Sequence, residues 1–430
     1  MSNTVPDDWT LSKVGELSQV KRGASPRPIQ DPKWWGGSVG WVRISDVTRS
    51  HKYLTKTTQY LSDEGVSKSV RVATGEVILS ICATIGRPII VGVDACIHDG
   101  FVWFDKLKNS INREYWYYFL SSKENYLSGQ RQSGTQGNLN TSIVAELECP
   151  LPPLPEQQKI AAILSSVDGV IEKTRAQIDK LKDLKTGMTQ ELMTKGIGHT
   201  DFKDSPVGRV PVSWEVASIS EIQAKEKYSC VGGPFGSDLT SKHYVEKAGV
   251  PVIRGSNLPL DFRRFIDEGF VYVSEGKAES LTKNMAYPGD LVFTQRGTLG
   301  QVGLIPENAK FSRYVISQSQ MKLSIDESAA DKEYLYQFFL SGSFLRALDQ
   351  QTIATGLPHI NLGILKSFLI PLPPMPEQIE IGKILYSVDQ KTAALRTKLE
   401  RHIALKKALM QDLLTGKVRV NVDQKESAVA

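Results

Sequence analysis

Apolar positions along the chain follow two rhythms, and each rhythm occurs twice. One is a long alternation of fours and threes. It runs through Ile160, Leu164, Val167, Ile171, Thr174, Ile178, Leu181, Lys185, Met188 and Leu192, and again through Ile381, Leu385, Val388, Thr392, Leu395, Leu399, His402, Lys406, Leu409 and Leu413. Most of these residues are apolar and charges fill the positions between them, which is the signature of a coiled-coil seam. Each stretch predicts a helix of roughly 40 residues, about 60 Å long. Gly169 and Gly187 each weaken the first helix by about 1 kcal/mol relative to alanine, so it need not be unbroken. Lys185 and Lys406 occupy matching seam positions. They either set the register of a helix pair or lie at a frayed end, and the frayed end is the favoured reading.

The second rhythm is that of short strands. Val39–Ile44, Val77–Ile81, Ile89–Val93 and Phe101–Phe104 are β-like runs between turn signals, followed by a helical segment, Glu114–Ser121, and a polar loop, Gly129–Asn140. After the first long helix, which Gly196 and Gly198 stop near Lys195, and a linker over 199–213, the same features return. Val5-Pro6 with Trp9 matches Val210-Pro211 with Trp214; Trp41-Val-Arg-Ile-Ser-Asp matches Val252-Ile-Arg-Gly-Ser-Asn; Gly75-Glu-Val-Ile-Leu-Ser matches Gly289-Asp-Leu-Val-Phe-Thr. Tyr115-Trp-Tyr-Tyr-Phe-Leu is likewise similar to Tyr334-Leu-Tyr-Gln-Phe-Phe-Leu. The plainest repeat is the entry to each helix, PLPPLPEQQKIAAILSSVD at Pro150–Asp168 and PLPPMPEQIEIGKILYSVD at Pro371–Asp389. Its prolines hold an extended lead-in, Pro155 and Pro376 suit a first helical position, and Glu156 and Glu377 put negative charge at the positive helix end. A proline-rich ligand for another domain is the weaker reading, because the prolines run straight into a helix.

The order is therefore domain, helix, domain, helix, tail. The first helix delivers the chain into the second domain, so pairing within one chain is antiparallel, with one domain at each end. Pairing between chains competes, but a tether gives an effective concentration of up to about millimolar and favours the pair within the chain. Burying each seam Leu or Ile contributes about 1.5–3 kcal/mol. Two related domains on a stiff spacer suit a ligand with two sites at fixed separation, such as DNA, where sites on one face lie a multiple of about 34 Å apart.

Composition narrows this picture modestly. A length of 430 residues and 40% hydrophobic content allow two to four domains with real cores. The net charge of +5 and pI of 8.8 suit nucleic acid without requiring it. Cys82, Cys96, Cys149 and Cys230 lack metal or disulfide spacing and predict core thiols of a reduced, cytoplasmic protein. No signal-peptide pattern is present. The most apolar run, Val77–Val93, is broken by Gly86-Arg87-Pro88 and is too short to span a bilayer.

The two halves, the linker Asp204-Ser-Pro-Val-Gly-Arg-Val-Pro-Val-Ser-Trp214 and the two Pro-Leu-Pro-Pro-x-Pro-Glu-Gln helix starts together resemble the specificity subunit of Type I restriction–modification enzymes, from Val5 to about Lys417. The resemblance implies an α+β fold with a pseudo-twofold repeat: a target recognition domain at 1–154, a helix at 155–198, a second recognition domain at 199–375, a helix at 376–417 and a flexible tail at 418–430. It implies that each domain reads half of a bipartite DNA site. The antiparallel coiled coil would set the gap and dock two methyltransferase subunits. S-adenosylmethionine would be bound by those subunits, and ATP with Mg by restriction subunits that join them.

Within the chain itself no catalytic set emerges. There is no Walker A sequence, since Gly297-Thr-Leu-Gly-Gln-Val-Gly lacks the Lys-Ser/Thr ending, no Asn-Pro-Pro-Tyr-type adenine methylation motif, and no His pair with metal spacing. Asp267, Glu275 and Lys277 form a loose nuclease-like string, but the matching Tyr60–Gly65 lacks the lysine. A self-contained nuclease using these three residues, or a coiled-coil scaffold that ignores DNA, are the alternatives. Two domains with different half-sites should agree where they grip phosphate or build the fold and differ where they read bases. Arg43, Ser45 and Asp46, shared with Arg254, Ser256 and Asn257, fall in the first class. Divergent polar residues fall in the second: Lys21, Arg22, Arg27, Arg87, Arg131, Gln132, Gln136 and Asn138, and then Arg263, Arg264, Gln295, Arg296, Thr298, Gln301 and His359. Arg to guanine and Gln or Asn to adenine are the usual bidentate pairs.

Overall fold

The computed structural model describes residues 5–130, 139–246, 249–260, 263–354 and 356–422, which divide into two compact units. One unit comprises residues up to Lys173 together with those from Glu400 onward; the other is Thr174–Leu399. The boundary thus falls inside both long helices. Among the described residues, no helix is long and apolar enough to cross a membrane.

The first unit holds two sheets. A five-stranded sheet has the order Gln19–Arg22, Phe101–Asp105, Val77–Ser80, Pro88–Val91, Tyr53–Leu54, and a four-stranded sheet has the order Gln59–Leu61, Trp35–Val42, Ala95–Ile97, Val70–Val72. The strand expected over Val39–Ile44 ends at Val42. Its continuation turns into a short helix at Ile44, because the Asp46 carboxylate accepts the Arg43 backbone N–H at 3.0 Å and nucleates the turn. Helix α1, Arg113–Ser122, begins at Asn112, whose side chain caps the Glu114 and Tyr115 N–H groups. It buries Tyr115, Trp116, Tyr118, Phe119 and Leu120 almost completely, and with them the main core of the unit. Thr10–Lys13 pairs with Glu148–Leu151 and so ties the start of the domain to the proline lead-in.

Helix α2 is continuous over Leu154–Lys195, with Gly169 and Gly187 inside it. In the first unit its opening turns bury Ile160 and Leu164 in the same core as Leu413 and Leu414, from the far end of the second long helix. Asp168 meets Lys406 at 2.7 Å, and Glu156 meets Arg419 at 2.8 Å. Position numbers rise on one helix as they fall on the other, so the pairing in this unit is antiparallel. Arg419 also bonds both Asp8 oxygens, and Val420 packs on the core. The start of the expected flexible tail is therefore pinned.

The second unit repeats the scheme. A four-stranded sheet runs Cys230–Gly232, Gln320–Leu323, Leu291–Thr294, Val302–Leu304; a five-stranded one runs Tyr244–Val245, Val271–Val273, Val250–Ile253, Tyr314–Ile316, Met285–Ala286. Glu215–Ser218 pairs with Leu369–Leu372 as its counterpart does. Helix α3, Lys332–Phe339, is capped by Asp331 and buries Tyr334, Leu335 and Phe339. Helix α4 spans Met375–Leu413. Its first turns, through Ile381 and Leu385, share a core with Met188, Leu192 and Met193 near the end of α2, again antiparallel. Residues in the expected linker are partly ordered into a two-residue ladder, Phe202–Lys203 against Val210–Pro211.

Along the seam, Ile171, Ile178 and Val388 are buried, while Val167, Leu181, Leu395, Leu399 and Leu409 are half-buried. Lys185 and Lys406 are not at frayed ends. Each lies within its helix and pairs with an aspartate of the other helix, Lys185 with Asp389 at 2.6 Å and Lys406 with Asp168 at 2.7 Å. Cys96, Cys149 and Cys230 are buried, and desolvation pushes the Cys96 and Cys230 thiols up to about 11. They are protonated core thiols.

Candidate nucleic-acid interface

In each unit several of the divergent polar residues lie at one end of one sheet. In the second unit the strands of the four-stranded sheet alternate in direction, so the segments after Gly232, after Thr294 and before Gln320 all emerge at the same end. Ser319 O accepts Gln295 N–H at 2.7 Å, Gly297 N–H donates to Pro358 O, and Ile360 N–H to Gln295 O, which fastens the 356–360 segment beside them. Gln295 and His359 are half-buried here, and Arg296 and Thr298 are exposed. The neighbouring sheet contributes Arg254, because Ser317 N–H bonds Ile253 O. Arg254 Nε is buried and finds no hydrogen-bond partner among the described residues.

The first unit is built the same way. Arg22 ends one strand and Arg27 follows it, Arg87 precedes another, and Asp99 lies in the turn before Phe101. Asp99 Oδ2 pairs with Arg27 at 3.2 Å, and its backbone carbonyl accepts Arg22 Nε at 2.6 Å. Arg43 donates to Gln59, and Lys21 pairs with Asp105. Arg131, Gln132, Gln136 and Asn138 lie outside the described residues.

A glycine fixes the corresponding loop in each unit. A Cβ on Gly233 would sit 2.0 Å from Ser317 O, and one on Gly23 would sit 2.2 Å from His98 O. Gly23 N–H bonds Phe101 O and Gly233 N–H bonds Gln320 O, in both cases the first residue of the adjacent strand. Gly233→Ala forces one backbone away from the other. It is expected to lower the melting temperature by several degrees, read by thermal unfolding of the full chain.

Several expected DNA contacts have internal partners instead. Asn257 is buried; its amide donates to Ile266 O and Glu268 O, and its Oδ1 accepts Arg254 N–H. Gln301 donates to Leu258 O at 2.7 Å and accepts from Thr294. Arg87 donates to Ser50 O at 2.9 Å. Arg264 pairs with Glu333 and stacks over Tyr336 and Tyr386, with its guanidinium 4.4 Å from the Tyr386 ring centre. These four side chains build the fold. Arg263 sits beside Arg264, and its carbonyl accepts the Tyr336 hydroxyl at 3.4 Å. Asp267 accepts from the Tyr314 hydroxyl and Lys310 N–H, Glu275 pairs with Arg313, and the Lys277 backbone caps on Ser274. The nuclease-like string is thus structural in its two carboxylates.

Two polar clusters anchor each domain to its helix pair, and both recur. At the helix start, Glu156 accepts Trp9 Nε1–H at 3.0 Å and is bridged by Arg419; Glu377 accepts Trp214 Nε1–H at 3.0 Å and is met by His199 at 2.9 Å. Gln157 and Gln378 each bond the backbone that opens helices α1 and α3, at Asn112 and Asp331. Further along the helix, Lys52 reaches Ser165 at 2.6 Å and Glu114 at 2.8 Å, and Tyr118 donates to Asp168, the partner of Lys406. Burial would raise the Glu114 carboxyl, but bonds from Lys52, Tyr53 and Ser165 outweigh it and hold the group below its ordinary range. In the second unit Gln337 joins Glu333 to Asp389, the partner of Lys185.

Paired α/β units of one plan, each closed by a helix that starts on a proline-rich repeat, define a tandem recognition protein. The chain belongs to the family of the Type I restriction modification DNA specificity domain, whose model matches residues 6–183 and 211–404. Among curated relatives, the specificity subunit of the Type I restriction enzyme MjaVIII of Methanocaldococcus jannaschii is 26% identical over 428 residues, which cover 97% of this chain and 94% of that one. The EcoKI specificity subunit of Escherichia coli is 19% identical, over 96% of this chain and 89% of its own. Among solved structures, the S subunit of a Type I restriction–modification system from M. genitalium superposes with a TM-score of 0.58 at 14% identity, covering 96% of this chain and 97% of that one.

Proposed function

We propose that each unit reads one half of a bipartite duplex site through the loop end of its sheet, and that the helix pair sets the unread gap between them. The observation that carries this reading is the contrast within the repeat. The anchors are duplicated (Trp–Glu, Gln–backbone, Asp–Lys), whereas the loop ends carry different side chains, such as Arg27 and Arg22 in one unit and Arg296 and Thr298 in the other. The chain acts in the cytoplasm as a non-catalytic subunit. Two methyltransferase subunits dock on the helices and supply S-adenosylmethionine, and restriction subunits that join them supply ATP-driven cleavage with Mg.

Arginine and lysine contacts to phosphate release counterions, so binding to a cognate duplex should fall steeply as salt rises. The decisive measurement is methylome mapping of a host carrying this chain with its methyltransferase partner. A motif of two defined half-sites with a constant gap is the expected result. A contiguous motif, or methylation by the purified chain alone, would refute the assignment.

A further inference from the structure

Phe235 is the most exposed large apolar side chain among the described residues, at 86%. Its position is not that of a loose surface residue. Pro234 precedes it, Gly233 is pressed against the Ser317 carbonyl, and Asp238 N–H closes the turn on Phe235 O at 2.7 Å. The Gln318 amide donates to Gly236 O at 2.6 Å and also to Leu239 O, so the turn is bolted to the segment before the adjacent strand. That segment is also where Ser319 holds Gln295 and Arg296. A rigid turn therefore presents a bare aromatic ring to solvent at the same sheet end as the exposed Arg296 and Thr298.

An apolar ring held in water by a braced turn gains free energy only when something covers it. Beside an arginine on a nucleic-acid face, the matching apolar surfaces are a thymine methyl group in the major groove or the face of a base at an opened step. In the corresponding loop of the first unit Ser25 stands two residues after Gly23, where Phe235 stands after Gly233, and Arg27 beyond it has its side chain 73% exposed. The two units thus differ at this loop, as readers of different half-sites must.

We propose that Phe235 is a base-reading residue of the second unit, making an apolar contact with the bases of its half-site. This rests on the DNA-reading role proposed above. The test compares the methylome of a host carrying the wild-type complex with that of a host carrying Phe235→Ala, and repeats the comparison with Phe235→Leu. In the alanine variant one half-site should stay unchanged, while discrimination at one or two positions of the other falls by about fivefold to a hundredfold, the range one base contact provides. Leucine should restore part of it. Because the side chain is exposed, urea unfolding of the alanine variant should match wild type. An unchanged motif, methylated to the same extent, would overturn the assignment of Phe235 alone. Loss of methylation at all sites with failure of the methyltransferase to co-purify would also overturn it, since the ring would then face a protein. A wild-type methylome without a bipartite motif would instead sink the reading on which the assignment rests.

Discussion

Trp214→Ala should destabilise the second unit by about 3–5 kcal/mol, the usual consequence of deleting a buried indole. Trp214 is fully buried, its ring meets His199 edge-on, and its Nε1–H supplies one of the bonds to Glu377. Removing it leaves a cavity and takes a donor from a carboxylate whose side chain is only 14% exposed. The midpoint of urea unfolding, followed by circular dichroism, should fall with little change in slope. A loss below about 1 kcal/mol would mean that the helix start is held chiefly by the proline lead-in and Gln378.

The second large effect is expected at Asp389. It is nearly buried, and it accepts from both Lys185, on the facing helix, and Gln337, on α3. Asp389→Ala leaves a partly buried ammonium without its partner, and breaking such a pair typically destabilises by about 3–5 kcal/mol. Substituting Lys185 and Asp389 together by leucine should recover much of the loss, because matched apolar groups replace a buried pair at little net expense. Double-mutant unfolding data decide the point. If the double variant is no more stable than Asp389→Ala, the pair is not the cause.

Much of this architecture is legible from the chain. The seam residues repeat at helical spacing, and the Pro-Leu-Pro-Pro lead-ins mark where each helix starts. What the sequence obscures is the use made of polar residues at long range. Glu156 has a plain local role at a helix N-terminus, yet its main partners, Trp9 and Arg419, lie 147 and 263 positions away. Lys185 and Lys406 look like lapses in an apolar seam until the aspartates opposite them are seen. Arg264 carries the appearance of a DNA contact because it diverges between halves, but divergence also occurs where a cation is buried against tyrosines. Gln301, a divergent residue, and Asn257, a shared one that either grips phosphate or builds the fold, both spend their side chains on backbone groups of their own unit. Phe235 carries no signature in the sequence, because a single apolar residue between Pro234 and Gly236 has no periodicity, and only its exposure shows that nothing in its own unit covers it.

The first unit draws its core from segments that flank the second unit in sequence, since Leu413 and Leu414 belong to the same cluster as Val14 and Trp116. A ribosome must therefore have synthesised the chain past Leu414 before that unit can close, whereas the other unit lies within residues 174–399. Synthesis from the N-terminus would then complete the later-encoded unit first, leaving the earlier one as an open, sticky intermediate in the nascent protein. Premature stops between Leu399 and Leu409 should yield chains in which the leading unit aggregates while the trailing one is still protected from proteases.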